Sequence, residues 1–295
     1  KFILFMRDGL LMAGCLVRLK EIIDNLPVIE RKVAKLFLEH PESICDKRID
    51  EISYSTGASM SSIVRLCKRM GYSGYKDFCR ALSVDLALQK TSTQYEEIHP
   101  YSDLNSVVRN VCLSNMKAIE NTMSLFNLGE LEKAVNAMVK AKRIDFYGVS
   151  SSHFVAMDGC NNFLRINNTC FTGGDPHYQL ITASTLTPND VAVLVSYSGT
   201  TIDTIETMNV VKRSGATTIS ITKYGDTPLN MLADIRLYAD STETLLRSGA
   251  MSSRIGMLTI IDVLFTAVAS KMYDEIKPFL DRSQQAIDTK RVRIK

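Results

Sequence analysis

Glycine and proline are sparse in this sequence, 15 and 7 of 295 residues, and charged residues make up an ordinary 23% beside 45% hydrophobic. Nothing in that balance argues for extended disorder, so the whole chain is expected to fold, and its length allows two domains but not many more. The seven cysteines (15, 45, 67, 79, 112, 160 and 170) include no Cys-x-x-Cys pair, and the four histidines have no metal-ligand spacing. Neither a metal nor a cofactor is expected, and the cysteines read as reduced, mostly buried thiols in a reducing compartment, the cytoplasm. Net charge is only +3, so any affinity for nucleic acid must come from local clustering of cations rather than from the total. No run approaches the roughly 20 consecutive apolar residues of a membrane span, and no membrane partner is expected.

What is present falls into two halves. From residue 16 to 88 the pattern is helical, with Ile29, Val33, Leu36 and Phe37 spaced as one apolar helix face. Residues 89–103 are polar, contain Pro100 and lack an apolar period, which marks a linker. After it, Val108, Cys112, Met116, Ile119, Met123 and Phe126 alternate steps of four and three, a seam that can pair two subunits or pack on its own domain. Three short β-branched runs follow, 143–148, 190–196 and 216–222, separated by helix-length segments. Strand and helix alternating in this way mean a parallel sheet with helices on both faces, a three-layer α/β domain over 104–280. Residues 281–295 read as a basic tail.

In the first half, Ile49 and Ile52 mark a short helix, Gly57 breaks it, and Ser59 is placed to cap the next helix. Within that second helix Ile63, Leu66, Cys67 and Met70 form the inward stripe, leaving Ser61, Ser62, Arg65, Lys68 and Arg69 outward. Between Ser59 and Arg80 the cations Arg65, Lys68, Arg69, Lys76 and Arg80 are set against the single acid Asp77. Small hydroxyls followed by cations suit a recognition helix for duplex DNA: Ser61, Ser62 and Arg65 toward base edges, Lys68 and Arg69 toward phosphates. An ordinary solvated amphipathic helix has the same periodicity, and that alternative stays open on periodicity alone.

Met12-Ala13-Gly14-Cys15 resembles the cleavage box of a bacterial lipoprotein signal. Arg7, Asp8 and Gly9 interrupt the apolar run before it, and a helix-turn-helix so close behind would be useless outside the cytoplasm. A short N-terminal extension or an early first helix is the expectation.

In the second half, the strand-end loops Gly148-Val-Ser-Ser-Ser-His153 and Ser196-Tyr-Ser-Gly-Thr-Thr201 each precede a predicted helix. Hydroxyls and backbone N–H groups converging at a helix N-terminus make a seat for phosphate. Serine and threonine caps are common at any helix start, but two such loops in one sheet carry more weight.

The stretch from Glu30 through Phe78 resembles the N-terminal domain of the RpiR family of bacterial regulators, most specifically in the seventeen-position pattern from Ser59 to Tyr75. The Ser-x-Ser-Gly-x-Thr pattern at 196–201 is similar to the phosphosugar loop of the SIS (sugar isomerase) domain, the C-terminal partner of that helix-turn-helix. Further segments, Glu243 and 247–262, also resemble the family. The resemblance implies that Ser151, Ser152, Ser196, Ser198, Gly199, Thr201 and Glu243 bind a sugar phosphate; His177, on the loop Gly-Gly-Asp-Pro-His, is a further candidate contact that could equally be a loop cap, and Ser59, Ser61, Ser62, Arg65, Lys68, Arg69 and Lys76 are the DNA contacts expected. It departs from the family in the first loop, where Ser150 replaces a glycine and His153 a small residue. A homo-oligomeric regulator, dimer or tetramer, is implied, its operator binding modulated by a phosphorylated sugar and its targets genes of sugar or aminosugar catabolism, with no catalytic activity of its own. The rival reading is a phosphosugar isomerase or lyase, with Glu243, His153 or His177 as base.

Overall fold

The computed structural model describes residues 14–89, 103–240 and 251–288. They divide into two compact units, one of residues up to 126 with Asp240, the other of 127–239 with 251–288. The first unit is helical: α1 (Cys15–Ile22), α2 (Val28–Glu39), α3 (Pro41–Ile44), α4 (Ile49–Thr56), α5 (Met60–Arg69), α6 (Tyr75–Gln89) and α7 (Leu104–Leu125). α2 stops at Glu39 because Pro41 forces His40 out of the helical region. α4 closes on Gly57 in the left-handed conformation, φ +69°, and the Ser59 side chain then caps α5 by accepting from the Ser62 N–H at 3.2 Å. Phe37 of α2 stacks on Phe78 of α6 with ring centroids 4.8 Å apart, and Leu19, Ile44, Ile52, Ile63 and Leu66 complete the core.

Cys15 is buried, and its thiol donates to Asp85 Oδ2 at 2.9 Å, beside the Leu16 N–H at 3.0 Å. The Gly14 N–H reaches the other oxygen, so a carboxylate from α6 caps the start of α1. Burial first, then the Asp85 charge, pushes the Cys15 thiol well above its ordinary value. Met12 and Ala13 lie outside the described residues. Of the seven free thiols, Cys15, Cys67 and Cys160 are buried, Cys45, Cys79 and Cys170 half-buried and Cys112 exposed, fewer inside than the sequence led us to expect.

One helix face differs from the sequence reading, and on another the structure separates two alternatives. On α2 the inward stripe is Glu30, Val33, Ala34 and Phe37, while Ile29 is 42% exposed. That stripe has perfect helical spacing, but it starts on an acid, which a hydrophobic period passes over. On α7 the inward residues are Asn110, Ser114, Ala118, Thr122 and Leu125, mostly small and polar. The apolar seam faces outward, with Val108 at 64% and Met116 at 57% exposure. The helix also belongs to the first unit, so the compact division falls after Phe126 rather than at 104. Within that unit Asn121 donates to Asp240 Oδ2 at 2.7 Å and the Asp240 N–H to Thr122 Oγ1 at 3.1 Å. Of the linker expected over 89–103, Gln89 ends α6, Asp103 caps α7, and 90–102 lie outside the described residues.

The second unit is a three-layer α/β fold. Its elements are α8 (Leu128–Lys140), β1 (Arg143–Gly148), α9 (Ser151–Leu164), β2 (Thr169–Phe171), α10 (Pro176–Ser184), β3 (Val191–Val195), α11 (Ile202–Ser214), β4 (Thr217–Thr222), α12 (Pro228–Leu232), β5 (Ile235–Tyr238), α13 (Met251–Lys271) and α14 (Tyr273–Asp288). The strands run parallel in the order β2-β1-β3-β4-β5. The three β-branched runs of the sequence are the three central strands; the short edge strands β2 and β5 were not anticipated. α14 continues through Asp288, across the boundary placed at 281. One correction concerns hydropathy: 252–271 is long and apolar enough to cross a membrane, mean hydropathy 1.5. Part of its apolar content packs inside the unit: Met257, Ile260, Ile261, Leu264 and Val268 are buried, and Phe265 meets Phe163 of α9 edge-on at 5.6 Å.

Candidate functional site

The strand order changes direction between β1 and β3, the place where ligands of open parallel sheets bind beyond the strand carboxyl ends. Gly148 and Val195, the last residues of those two strands, are register partners. The segments 149–150 and 196–201 therefore leave the sheet side by side, and Ser151, Ser152 and His153, read as loop residues from the sequence, fall in the first turn of α9.

In the second loop Ser196 is buried and its Oγ lies 3.0 Å from Thr201 Oγ1. Ser198 is exposed, and its Oγ accepts from Thr200 N–H at 3.3 Å and Thr200 Oγ1 at 3.0 Å. The turn between them is made by Gly199 at φ +65°, whose N–H donates to Ser196 O at 3.0 Å. Gly199 also allows a close approach: a Cβ there would lie 2.6 Å from the Thr227 Cβ. Its carbonyl accepts from the Leu229 N–H at 3.1 Å, so the start of α12 holds the loop from behind. Thr201 precedes α11 without capping it through its side chain, which leaves first-turn N–H groups for an anion. Sequence reasoning missed Lys223, a cation directly after β4 whose N–H donates to Tyr197 O of this loop at 2.7 Å. Its signal was position, the first residue beyond a strand carboxyl end.

In the first loop Ser151 is half-buried and Ser152 buried. Ser150, where the family pattern has glycine, adopts φ +55°, ψ −126°, a conformation that favours glycine and costs a serine about 1–3 kcal/mol. Ser150→Gly is therefore expected to stabilise this unit by about 1 kcal/mol after the entropy of an extra glycine is subtracted. A thermal midpoint that falls in Ser150→Gly would remove the strain argument.

Around the ends of β1 and β2, Gln179 is fully buried and its Nε2 bridges Gly148 O at 2.8 Å and Gly173 O at 2.7 Å. Its Oε1, together with His153 Nδ1 and Thr172 Oγ1, has no hydrogen-bond partner among the described residues. Burial pushes the His153 imidazole below its ordinary value, which favours the neutral ring. Sequence reasoning also missed Gln179; its only signal was a polar residue on the Ala183 and Leu186 side of α10. His177 is exposed on the first turn of α10, and Asp175 caps that helix, accepting from Tyr178 N–H at 2.9 Å. Glu243 lies outside the described residues.

On the helical unit, Ser59, Ser61, Arg65, Lys68, Arg69 and Lys76 are exposed, as the recognition-helix reading requires. Ser62 is not: it is 8% exposed because it falls four residues before Leu66 on the inward stripe. Its Oγ lies 2.9 Å from Ser59 Oγ and accepts from Arg65 Nη2 at 3.1 Å. The buried Glu30 accepts from Arg65 Nε at 2.8 Å and lies 3.5 Å from Arg69 Nε. Met60, 53% exposed beside Ser61, is a further surface residue of the helix tip that sequence reasoning passed over.

Comparison with known proteins agrees with this division. The family described as "Helix-turn-helix domain, rpiR family" matches residues 13–89, and the SIS domain matches 137–267. An uncharacterized HTH-type transcriptional regulator of Caldanaerobacter subterraneus subsp. tengcongensis is 37% identical over 95% of this chain and 99% of its own length. The uncharacterized HTH-type regulator YbbH of Bacillus subtilis is 34% identical over the same shares of the two chains. Among solved structures, the Vibrio vulnificus NanR protein complexed with ManNAc-6P is similar, with 26% identity and a TM-score of 0.60 over 95% of this chain and 100% of that one.

Proposed function

Since the chain belongs to the rpiR family of helix-turn-helix transcriptional regulators with a SIS domain, we propose that it binds operator DNA through α5 and that a phosphorylated sugar at the β1 and β3 strand ends modulates that binding. The register pairing of Gly148 with Val195 carries the reading, because it brings two hydroxyl-rich loops together at the sheet's switch point. Ser196, Ser198, Gly199 and Thr201 hold the phosphate, with Ser151 and Ser152 beside it. The acceptors Gln179 Oε1 and neutral His153 Nδ1 suit the hydroxyl groups of a sugar, which are donors. His177 and Glu243 complete the proposed contacts, and similarity to a protein solved with ManNAc-6P favours an aminosugar phosphate and control of aminosugar or sugar catabolism.

The regulator works as a homo-oligomer in the cytoplasm, where its operator is. A single helix-turn-helix reads too few base pairs for tight specific binding, and the outward seam of α7 offers apolar surface to a second copy. Catalysis is not part of this reading: the DNA-binding unit has no use in an isomerase. A mobility shift on the duplex upstream of the chain's own gene, with and without a panel of hexose and aminosugar phosphates, tests it. A shift that responds to one phosphate, returned unchanged, is the expected result. Turnover of that phosphate without any DNA shift would replace the regulator by the enzyme.

A further inference from the structure

The polar contacts beneath α5 form one connected chain. Glu30, in the first turn of α2, is 2% exposed, where the positive end of the helix dipole favours a carboxylate. Its two oxygens face two guanidiniums of the neighbouring helix, Arg65 Nε at 2.8 Å and Arg69 Nε at 3.5 Å. Arg65 continues to Ser62, Ser62 to the cap residue Ser59, and Ser59 to Ser61 at 2.8 Å. Both arginine side chains nevertheless remain accessible, 63% and 41% exposed.

We propose that Glu30 is a positioning residue for sequence reading: it fixes Arg65 so that the terminal guanidinium nitrogens face a base edge in the major groove, with guanine as the base recognised. This rests on the DNA-binding reading of α5 and deepens it. A guanidinium held at Nε by Glu30 and through one Nη2 proton by Ser62 still has a proton on each Nη to offer the O6 and N7 of guanine, the arrangement that bidentate recognition uses. A free arginine would lose side-chain entropy on binding; one already held has lost it in the folded protein. Nor do the arginines leave for phosphates on binding, because a buried carboxylate stripped of both partners is strongly unfavourable. Position, rather than charge, is what Glu30 contributes.

The test compares affinity of the full chain for a duplex selected from a random pool by the wild-type protein with affinity for an unrelated duplex. In Glu30→Gln, affinity for the selected duplex is expected to fall about tenfold, with affinity for the unrelated duplex unchanged or raised, since one negative charge is removed. In an Arg65→Ala background Glu30→Gln should add nothing, as coupled residues behave in a double-mutant cycle. A folded Glu30→Gln protein with wild-type discrimination, with tighter binding to both duplexes alike, or with an effect that simply adds to that of Arg65→Ala, overturns the proposal. Should glutamine there prevent folding, the wild type still decides. The Arg65 Nε proton should resist exchange by NMR in both free and DNA-bound protein, and loss of that protection on binding overturns the proposal. A wild type that selects no sequence at all instead removes the DNA reading on which it rests.

Discussion

Gly199→Ala is expected to abolish sugar-phosphate binding and to lower the thermal midpoint of the sheet unit. The left-handed backbone at φ +65° costs a residue with Cβ about 1–2 kcal/mol. The added atom would also sit 2.6 Å from the Thr227 Cβ, and relieving such overlap in a packed site costs about 1–3 kcal/mol. Neither group yields easily, because Thr227 caps α12 by accepting from Asn230 N–H at 3.2 Å and is held there. The loop must therefore move away, carrying Ser198 and Thr200 with it. Ser198→Ala makes the informative contrast, since it removes one hydrogen bond to an anion, about 1.5–3 kcal/mol, and leaves the backbone alone. Its thermal midpoint should match the wild type while ligand affinity falls tenfold or more. Calorimetric titration of both variants with the responding sugar phosphate decides it, and wild-type affinity in Gly199→Ala would remove the loop from the binding site. By linkage, a variant with weaker ligand binding must also need more ligand for the same DNA response.

Arg65→Ala should weaken binding to a preferred duplex by about 1–3 kcal/mol and flatten discrimination, whereas Lys68→Ala should weaken all duplexes alike and reduce the salt slope by about one. The difference follows from what holds each side chain. Arg65 is anchored to Glu30 and Ser62, while no ion pair to Lys68 occurs among the described residues, which suits a point charge for phosphate. Arg65→Ala should also cost some stability, because Glu30 then keeps only the longer contact to Arg69. Titrations on both duplexes at a series of salt concentrations separate the two effects. If both variants bind the preferred duplex as the wild type does, α5 is not the reading helix.

The central strands were legible because runs such as Val-Ala-Val-Leu-Val are buried on both sides of a parallel sheet and must be apolar throughout. The edge strands β2 and β5, with three and four residues, are too short to stand out from a loop by composition. Ser59 was legible as a cap because capping depends on local geometry that the sequence encodes directly. Glu30 was not, because its role depends on a partner 35 positions away, and a hydrophobic period assigns every acid to the surface. The α7 seam was legible as a period, but its two possible uses were not distinguished; the inward side is small and polar, and the larger residues lie outside. At the first loop, the serine in place of glycine left the backbone geometry open, and the structure has Ser150 at positive φ. What no single sequence could announce is Gln179, whose value lies in two carbonyls, one at the end of β1 and one in the loop after β2.

The brevity of β2 and β5 has a consequence beyond topology. The margin of an open sheet presents unpaired N–H and C=O groups, a template onto which another chain can add a strand, and long exposed margins promote aggregation. At β5 the outward N–H of Arg236 is already taken by Glu130 Oε2 at 3.1 Å, a carboxylate from α8 that Lys133 also grips at 2.7 Å. At β2 only three residues are available, and the chain turns into Gly173 and Gly174 immediately after Thr172. Neither side gives an incoming strand enough consecutive partners to nucleate. The sheet can therefore keep a fully buried centre, Val191 to Val195, and still resist growing by addition at its margins.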